Sequence, residues 1–161
     1  MFIIDAQGFQ LTDKSFVAKE VALCSVEDGE IAHFLLKPPI NTYPDSKSQK
    51  YLETSFHGIK WEDGFVPYSN MKTALLRIVG YDKKVMCKGL EKCKFFENLL
   101  QRNIIDMDTR CCPKLAKLRQ CKVKCLFHKS SYFHCALQNV LVLRLWVKSN
   151  EDFAEFVKTL L

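Results

Sequence analysis

Residues 125–139, CLFHKSSYFHCALQN, decide how the fold of this chain is interpreted. Cys125, His128 and Cys135 lie in the spacing C-x2-H-x6-C. Two thiolates and an imidazole suit Zn2+, and a close Cys-x2-His pair followed by a third ligand in the first turn of a helix is sterically easy. The segment therefore predicts a zinc site built from these three residues.

A tetrahedral zinc site needs a fourth ligand. Cys112, beside Pro113, is the local candidate, whereas Cys111 and Cys121 are weaker because they lie in basic surroundings. A closed site is structural, and it would hold the final helices against the rest of the fold. The other cysteines alternate with apolar residues and are predicted to be buried core thiols: Cys24, Cys87 and Cys93.

The composition indicates a folded chain with an attraction for polyanions. Of its 161 residues, 48% are hydrophobic, and the formal net charge is +6. We expect one domain over residues 1–161 and no membrane contact, because no apolar run reaches the roughly 18 residues of a span. No basic stretch precedes an apolar one at the N-terminus, so we expect an intracellular protein of the cytoplasm, the nucleus or both.

Hydrophobic periodicity predicts three largely antiparallel strands followed by alternating helices and strands. The long polar segment Ile40–Pro67 between these two parts lacks sustained periodicity and is predicted to be an ordered loop. Ser69 or Asn70 can cap the helix that follows it. The predicted strands are Phe2–Ile4 ending at Asp5, Phe16–Val26, Glu30–Leu36, Lys84–Cys87 and Asn103–Met107. The predicted helices are Met71–Val79, Gly89–Leu100, Lys114–Arg119, Tyr132–Val147 and Glu151–Leu161.

This order and three short motifs resemble the ribonuclease H-like fold of DEDD exonucleases. The chain has Asp5-Ala6-Gln7 after its first apolar run, Lys92 near the start of a helix, and His134-x4-Asn139 near the start of a late helix. The resemblance implies an α/β fold, with a mixed sheet flanked by helices. In that family these positions carry Asp-x-Glu, Asp and His-x4-Asp.

Two-metal phosphodiester cleavage needs several clustered carboxylates to hold the metal ions. Gln7 and Asn139 are neutral amides, and Lys92 is a cation. Among these positions, Asp5 alone would keep the carboxylate that the exonuclease pattern requires. The usual exonuclease chemistry is therefore predicted to be absent.

The zinc pattern is also similar to that of the Maelstrom domain of the piRNA pathway, a ribonuclease H-like domain with a Glu-Cys-His-Cys zinc set. That resemblance implies Glu20 as the fourth ligand beside Cys125, His128 and Cys135, in competition with Cys112. It also implies a role in small-RNA or transposon silencing. A Glu within an apolar strand can equally face solvent, so Glu20 and Cys112 both stay candidates for the fourth ligand.

Single-stranded RNA is the expected partner of the surface. Trp61, Phe65 and Tyr68 could stack on unpaired bases, and a basic run next to the metal loop suits phosphates. Two alternatives are an RNA nuclease that uses a non-standard site and a scaffold that binds only protein. The basic run consists of Lys114, Lys117, Arg119, Lys122, Lys124 and Lys129.

Overall fold

A computed structural model describes residues 1–118, 123–129 and 133–159, and within them five strands form one mixed sheet. The spatial order of the strands is β3-β2-β1-β4-β5. β1 pairs antiparallel with β2 and parallel with β4, while the outer pairs are antiparallel β2–β3 and parallel β4–β5. The strands are β1 Phe2–Gln10, β2 Phe16–Ser25, β3 Ile31–Leu35, β4 Val85–Cys87 and β5 Ile105–Asp106.

Helices cover both faces of the sheet. α4 packs with the side chains of Ile3, Ala22 and Cys24 on one face, and α2 and α3 pack with the alternate residues on the other. The predicted mixed sheet flanked by helices is therefore confirmed. No helix in the described ranges is long and apolar enough to span a membrane. The helices are α1 Ser46–Tyr51, α2 Met71–Val79, α3 Leu90–Leu100, α4 Ala136–Ser149 and α5 Glu151–Thr159.

β1 is longer than the sequence predicted, because it continues beyond Asp5 to Gln10. Its pairing register with β2 shifts between Gln7 and Gly8. A Cβ atom on Gly8 would lie 2.1 Å from the carbonyl oxygen of Val17, so this position requires glycine. At the shift, Lys19 of β2 is left out of the pairing with β1.

Several predicted elements need correction. The segment predicted as a loop contains α1, whose N-cap Asp45 accepts a hydrogen bond from the Ser48 N–H, and a π-helical turn over Leu52–Phe56. α1 has no buried residue, so hydrophobic periodicity could not reveal it. Neither Ser69 nor Asn70 caps α2 with its side chain, and the predicted basic helix is a 3-10 turn over Leu115–Lys117. α4 begins at Ala136, later than predicted.

A buried lysine fixes the loop that follows α1. Lys19 in β2 has no exposed surface, and its ammonium donates to the carbonyl oxygens of Leu36, at 2.6 Å, and Asp63. The same ammonium lies 5.8 Å from the ring centroid of Trp61. Trp61 is only 4% exposed, so the prediction that it offers a stacking face is wrong. Burial lowers the pKa of Lys19 to about 8.

Replacement of Gly64 by alanine should destabilise the fold more than the same change at Gly80. Both residues have positive φ, but a Cβ on Gly64 would lie 2.3 Å from the Leu36 carbonyl oxygen, whereas nothing lies within 4 Å of a Cβ on Gly80. We expect Gly80→Ala to cost about 1 kcal/mol and Gly64→Ala about 3 kcal/mol or more. Urea unfolding of both variants measures the difference, and equal losses would contradict the close approach at Gly64.

Candidate metal centre and the adjoining carboxylate site

Four buried side chains converge between β2 and the N-terminus of α4. One ligand atom from each lies within 4.8 Å of all the others. β2 supplies the carboxylate, the loop 123–129 supplies a thiol and an imidazole, and the N-cap of α4 supplies the second thiol. The four residues are Glu20, Cys125, His128 and Cys135. This cluster could hold a metal ion.

Glu20 points into the protein and not to solvent. It is fully buried, and its Oε2 accepts a 2.9 Å hydrogen bond from the backbone N–H of Ala136. Oε1 lies 2.8 Å from Nε2 of His33 on the neighbouring strand β3. Burial raises the pKa of the Glu20 carboxyl, but hydrogen bonds with His128 and His33 outweigh this effect and lower it to about 2. The side chain is therefore an ionised, buried carboxylate.

The ring of His128 is oriented by the backbone. Its Nδ1 lies 2.6 Å from the carbonyl oxygen of His57, which can only accept, so Nδ1 carries the proton in the neutral imidazole. Nε2 lies 3.1 Å from Oε2 of Glu20. Burial lowers the pKa of His128, but hydrogen bonds with Cys125 and Glu20 outweigh this effect and raise it to about 10, so without a metal ion Nε2 also carries a proton and donates to the Glu20 carboxylate. A metal ion bound at the cluster would take the place of this proton. A ligand histidine held by a carbonyl through its other nitrogen is the usual arrangement at protein metal sites.

His57 is itself fixed on both sides of its ring. Its Nδ1 accepts a hydrogen bond from the Ile59 N–H at 3.1 Å, so its Nε2 is the donor to the Gly8 carbonyl oxygen at 3.1 Å. Burial lowers the pKa of His57 to about 4, which keeps the ring neutral. A Cβ on Gly58 would lie 2.6 Å from the ring of Phe133. These contacts set the position of the His57 carbonyl that orients His128.

Backbone amides point at both sulfur atoms. The Phe127 N–H donates to Sγ of Cys125 at 3.4 Å, and the Gln138 N–H donates to Sγ of Cys135 at 3.5 Å. Hydrogen bonding with Cys135 lowers the pKa of Cys125 to about 5, while burial and the same contact raise the pKa of Cys135. Such amides stabilise a thiolate, which is the form that binds a metal.

The donor set decides which metal the cluster fits. Two thiolates, one imidazole and one carboxylate are ligands that Zn2+ accepts in tetrahedral sites, whereas Mg2+ and Ca2+ require oxygen donors. Four protein ligands would fill the coordination sphere of such an ion, and all four are buried. A zinc ion held by all four would therefore be in a structural site.

The remaining cysteines lie elsewhere. Cys112 is buried but is not among the four converging residues, and its sulfur lies 3.7 Å from the Pro113 carbonyl oxygen. Cys111 is exposed, and Cys121 lies outside the described residues. The three cysteines predicted to be core thiols are free and buried, as expected: Cys24, Cys87 and Cys93.

Asp5 occupies a second polar cluster on the same sheet face as Glu20. Its Oδ1 lies 2.5 Å from the ammonium of Lys92, and its Oδ2 accepts a 2.7 Å hydrogen bond from the Asn139 amide. Nε2 of Gln7 lies 3.5 Å from the same Oδ2. Burial lowers the pKa of Lys92, but the Asp5 carboxylate outweighs this effect and raises it. Four of the five residues predicted at exonuclease positions thus lie together in one network, in which a single ammonium pairs with a single carboxylate.

His134 lies in front of this network. Its side chain is exposed, and its ring stacks on Phe56 with centroids 4.1 Å apart. Its backbone N–H donates to the Phe56 carbonyl oxygen at 2.8 Å. Partial burial and the nearby Lys92 ammonium lower the pKa of His134. The imidazole is therefore neutral and accessible at ordinary pH.

The two clusters share the first turn of α4. Cys135 caps the helix, and the Asn139 N–H donates to the Cys135 carbonyl oxygen at 3.0 Å. Gln7 and Glu20 are directly paired across β1 and β2. A displacement of this turn would therefore disturb both the candidate metal ligands and the contacts of Asp5.

The predicted basic run is described only in part. The four lysines within the described residues are all exposed, whereas Arg119 and Lys122 lie outside them. Of the predicted stacking residues, only Phe65 is widely exposed, since Trp61 is buried and Tyr68 half-buried. The four exposed lysines are Lys114, Lys117, Lys124 and Lys129.

Comparison with known proteins shows a likeness in fold. Neither a protein-family model nor a curated protein sequence matches the chain. The structure is similar to E. coli exonuclease I in complex with a 5cy-dA13 oligonucleotide, with a TM-score of 0.58 and 13% identity over 94% of this chain. A full-length 3'-exonuclease gives a TM-score of 0.47 and 14% identity, covering 94% of this chain and 60% of the other.

The likeness to exonuclease I confirms the predicted ribonuclease H-like, DEDD exonuclease-like fold, and at this identity it shows the fold alone. This chain spans 40% of the length of exonuclease I. The assignment to the Maelstrom domain stays a hypothesis based on the ligand pattern.

Purified protein should contain about one zinc ion per chain, and loss of one ligand should remove it. We expect Cys125→Ser to reduce the zinc content to near zero and to lower the unfolding temperature sharply, because the binding free energy of a structural metal contributes to folding. Cys111→Ser is the matched control, since that thiol is exposed and lies outside the cluster. Elemental analysis and thermal unfolding measure both effects. A zinc-free preparation of equal stability would contradict the assignment.

Proposed function

We propose that this chain is a catalytically degenerate exonuclease-like module, stabilised by zinc, that binds single-stranded RNA on its surface. One observation carries the proposal: the ammonium of Lys92 lies 2.5 Å from Asp5, where the fold would otherwise hold a metal ion. The protein supplies its own cation there.

The network around Asp5 argues against two-metal cleavage. Two divalent ions need several converging carboxylates, and Asp5 is the only acid among the degenerate positions. Gln7 and Asn139 contribute amides, whose neutral groups cannot balance the ion charge. The Lys92 ammonium, 2.5 Å from the Asp5 carboxylate, would also repel a divalent ion bound to that carboxylate. The centre is therefore suited to holding the fold together and not to hydrolysis.

Zinc would act as a structural clamp in this proposal. Binding by Glu20, Cys125, His128 and Cys135 would join β2, the loop 123–129 and the N-terminus of α4. The same four-residue set is what the similarity to the Maelstrom domain implied. On that basis we propose a role in small-RNA (piRNA) or transposon silencing, in the cytoplasm, the nucleus or both.

The proposed RNA partner is supported by charge and by fold. The net charge of +6 and the exposed lysines of the basic run favour a polyanion. Exonuclease I, which shares the fold, is described in complex with an oligonucleotide. With its catalytic carboxylates replaced, a module of this kind would retain or present RNA without degrading it.

His134 favours a second candidate function, metal-independent cleavage of single-stranded RNA. It is exposed, its pKa is lowered, and the Lys92 ammonium lies near it. A neutral imidazole can act as a general base toward a ribose 2'-hydroxyl, and an ammonium can stabilise the charge that develops on the phosphate. A third possibility, a scaffold that binds only protein, predicts no RNA retention.

The proposal is tested with a labelled single-stranded RNA in Mg2+ and after brief EDTA treatment, with the zinc content checked to be unchanged. We expect salt-sensitive binding and no cleavage in either buffer. Cleavage only in Mg2+ would contradict the proposal. Cleavage that persists in EDTA and disappears in His134→Ala would establish metal-independent RNA cleavage. If the protein does not bind the RNA at all, the protein-only scaffold is the remaining candidate.

Restoring the acids provides a matched pair of variants. Gln7→Glu with Asn139→Asp should still bind no Mn2+, because Lys92 remains in place, whereas adding Lys92→Asp should create divalent-ion binding. Calorimetric titration with Mn2+ measures both. Tight Mn2+ binding by the unchanged protein would overturn the role given to Lys92.

A further inference from the structure

We infer that single-stranded RNA docks along the outer edge of β3, on a row of three rings, and not on the surface formed by Phe56 and His134 in front of Asp5, which we call the cleft. The ring row consists of His33, Phe127 and Phe65. This inference rests on the proposed function, since it names where the proposed RNA partner is bound.

The three rings follow one another across the edge of the sheet. The ring centroids of His33 and Phe127 are 4.4 Å apart with planes at 42°, and those of Phe127 and Phe65 are 6.3 Å apart with planes at 40°. Phe65 is 72% exposed, and Leu126, next to Phe127, is 93% exposed. Phe65 is the exposed ring of the row, whereas His33 and Phe127 are half-buried. An accessible ring face can take one unpaired base, because every base has a π-face.

Exposed lysines lie close in the chain or in hydrogen bonding to two of the three rings. Lys124 and Lys129 lie within three residues of Phe127, and both are exposed. Lys37 is exposed near Phe65, because its backbone N–H donates to the carbonyl oxygen of Val66, the neighbour of Phe65. Lysines beside stacking rings form the usual surface for single strands, in which the phosphates meet the cations and the bases meet the rings.

The edge of β3 is open to a ligand. β3 is an outermost strand, and among the described residues no other strand pairs with its outer side over Ile31–His33. The end of β3 is covered, because the N–H groups of Phe65 and Val66 donate to the Leu35 carbonyl oxygen. That contact places Phe65 beside the strand and holds it there.

The cleft is less suitable for RNA than this edge. Its cation, Lys92, is already paired with Asp5, and the Asp5 carboxylate would repel a phosphate. The cleft does carry stacked rings at Phe56 and His134, with Tyr51 6.0 Å from Phe56. Tyr51 is 57% exposed, so its ring would contact RNA if RNA were bound beside Phe56 and His134 instead.

The candidate metal centre sets the position of the middle ring. Phe127 lies between Cys125 and His128 in the chain, and its N–H donates to the Cys125 sulfur. His33, at one end of the row, contacts Glu20. Removal of the metal should therefore weaken RNA binding even where the sheet itself stays folded.

The test measures binding of a fluorescently labelled 20-nucleotide oligo(U) by anisotropy at several salt concentrations. We expect Phe65→Ala to weaken binding about tenfold, because one base no longer stacks. Lys37→Ala with Lys124→Ala should reduce the slope of log affinity against log salt by about 1.4, or about 0.7 for each phosphate that is no longer neutralised. Tyr81→Ala is the matched control, since Tyr81 is 83% exposed at the opposite edge of the sheet, and it should change affinity less than twofold.

Each outcome separates this inference from the proposed function. RNA binding that survives Phe65→Ala and the double lysine change but is abolished in Tyr51→Ala would overturn the inference and leave an RNA-binding module with its site in the cleft. Equal weakening in Phe65→Ala and Tyr81→Ala would also overturn it. No oligo(U) binding by the unchanged protein would remove both proposals. Circular dichroism of every variant excludes unfolding as the cause of weaker binding.

Discussion

The buried carboxylate of Glu20 is the interaction on which the rest of this structure depends. A fully buried charge costs several kcal/mol unless it is paired and hydrogen-bonded. Here His33 of β3, His128 of the loop 123–129 and the first amide of α4 all point at the two oxygens of one side chain. Three separate parts of the chain are thus held by a single group, whether or not a metal ion adds to its contacts.

Two neighbouring clusters on one sheet face place positive charge beside carboxylates in different ways. At Asp5 the cation is a lysine, which is attached to the chain and cannot exchange with solvent. At Glu20 the sulfur and nitrogen atoms provide a set that fits zinc. Each cluster joins the first turn of α4 to the sheet, Asp5 through the Asn139 amide and Glu20 through the Ala136 N–H. Phe127, in the middle of the ring row, is held at the second cluster, because its N–H donates to the Cys125 sulfur.

The sequence predicted the order of strands and helices along the chain and the fold class, because alternating apolar residues and local spacings such as Cys125 to His128 are short-range signals. Glu20 came only from a resemblance, since nothing in an apolar strand reveals a partner more than a hundred residues away. His33 and His57 were missed, because a residue that orients a ligand has no characteristic spacing. Trp61 was placed at the surface because the burial of Lys19 beneath it has no sequence signal.

The separation of the ligands along the chain bears on biosynthesis. Glu20 meets Cys125, His128 and Cys135 across 105, 108 and 115 residues. Ribosomes add about 5–20 residues per second, so β1 to β3 exist for several seconds before these partners are made. During that interval Glu20 has His33 of β3 beside it but lacks its contacts with His128 and the Ala136 N–H. The network around this carboxylate can therefore be completed only late in synthesis, after β1 to β3 have been made.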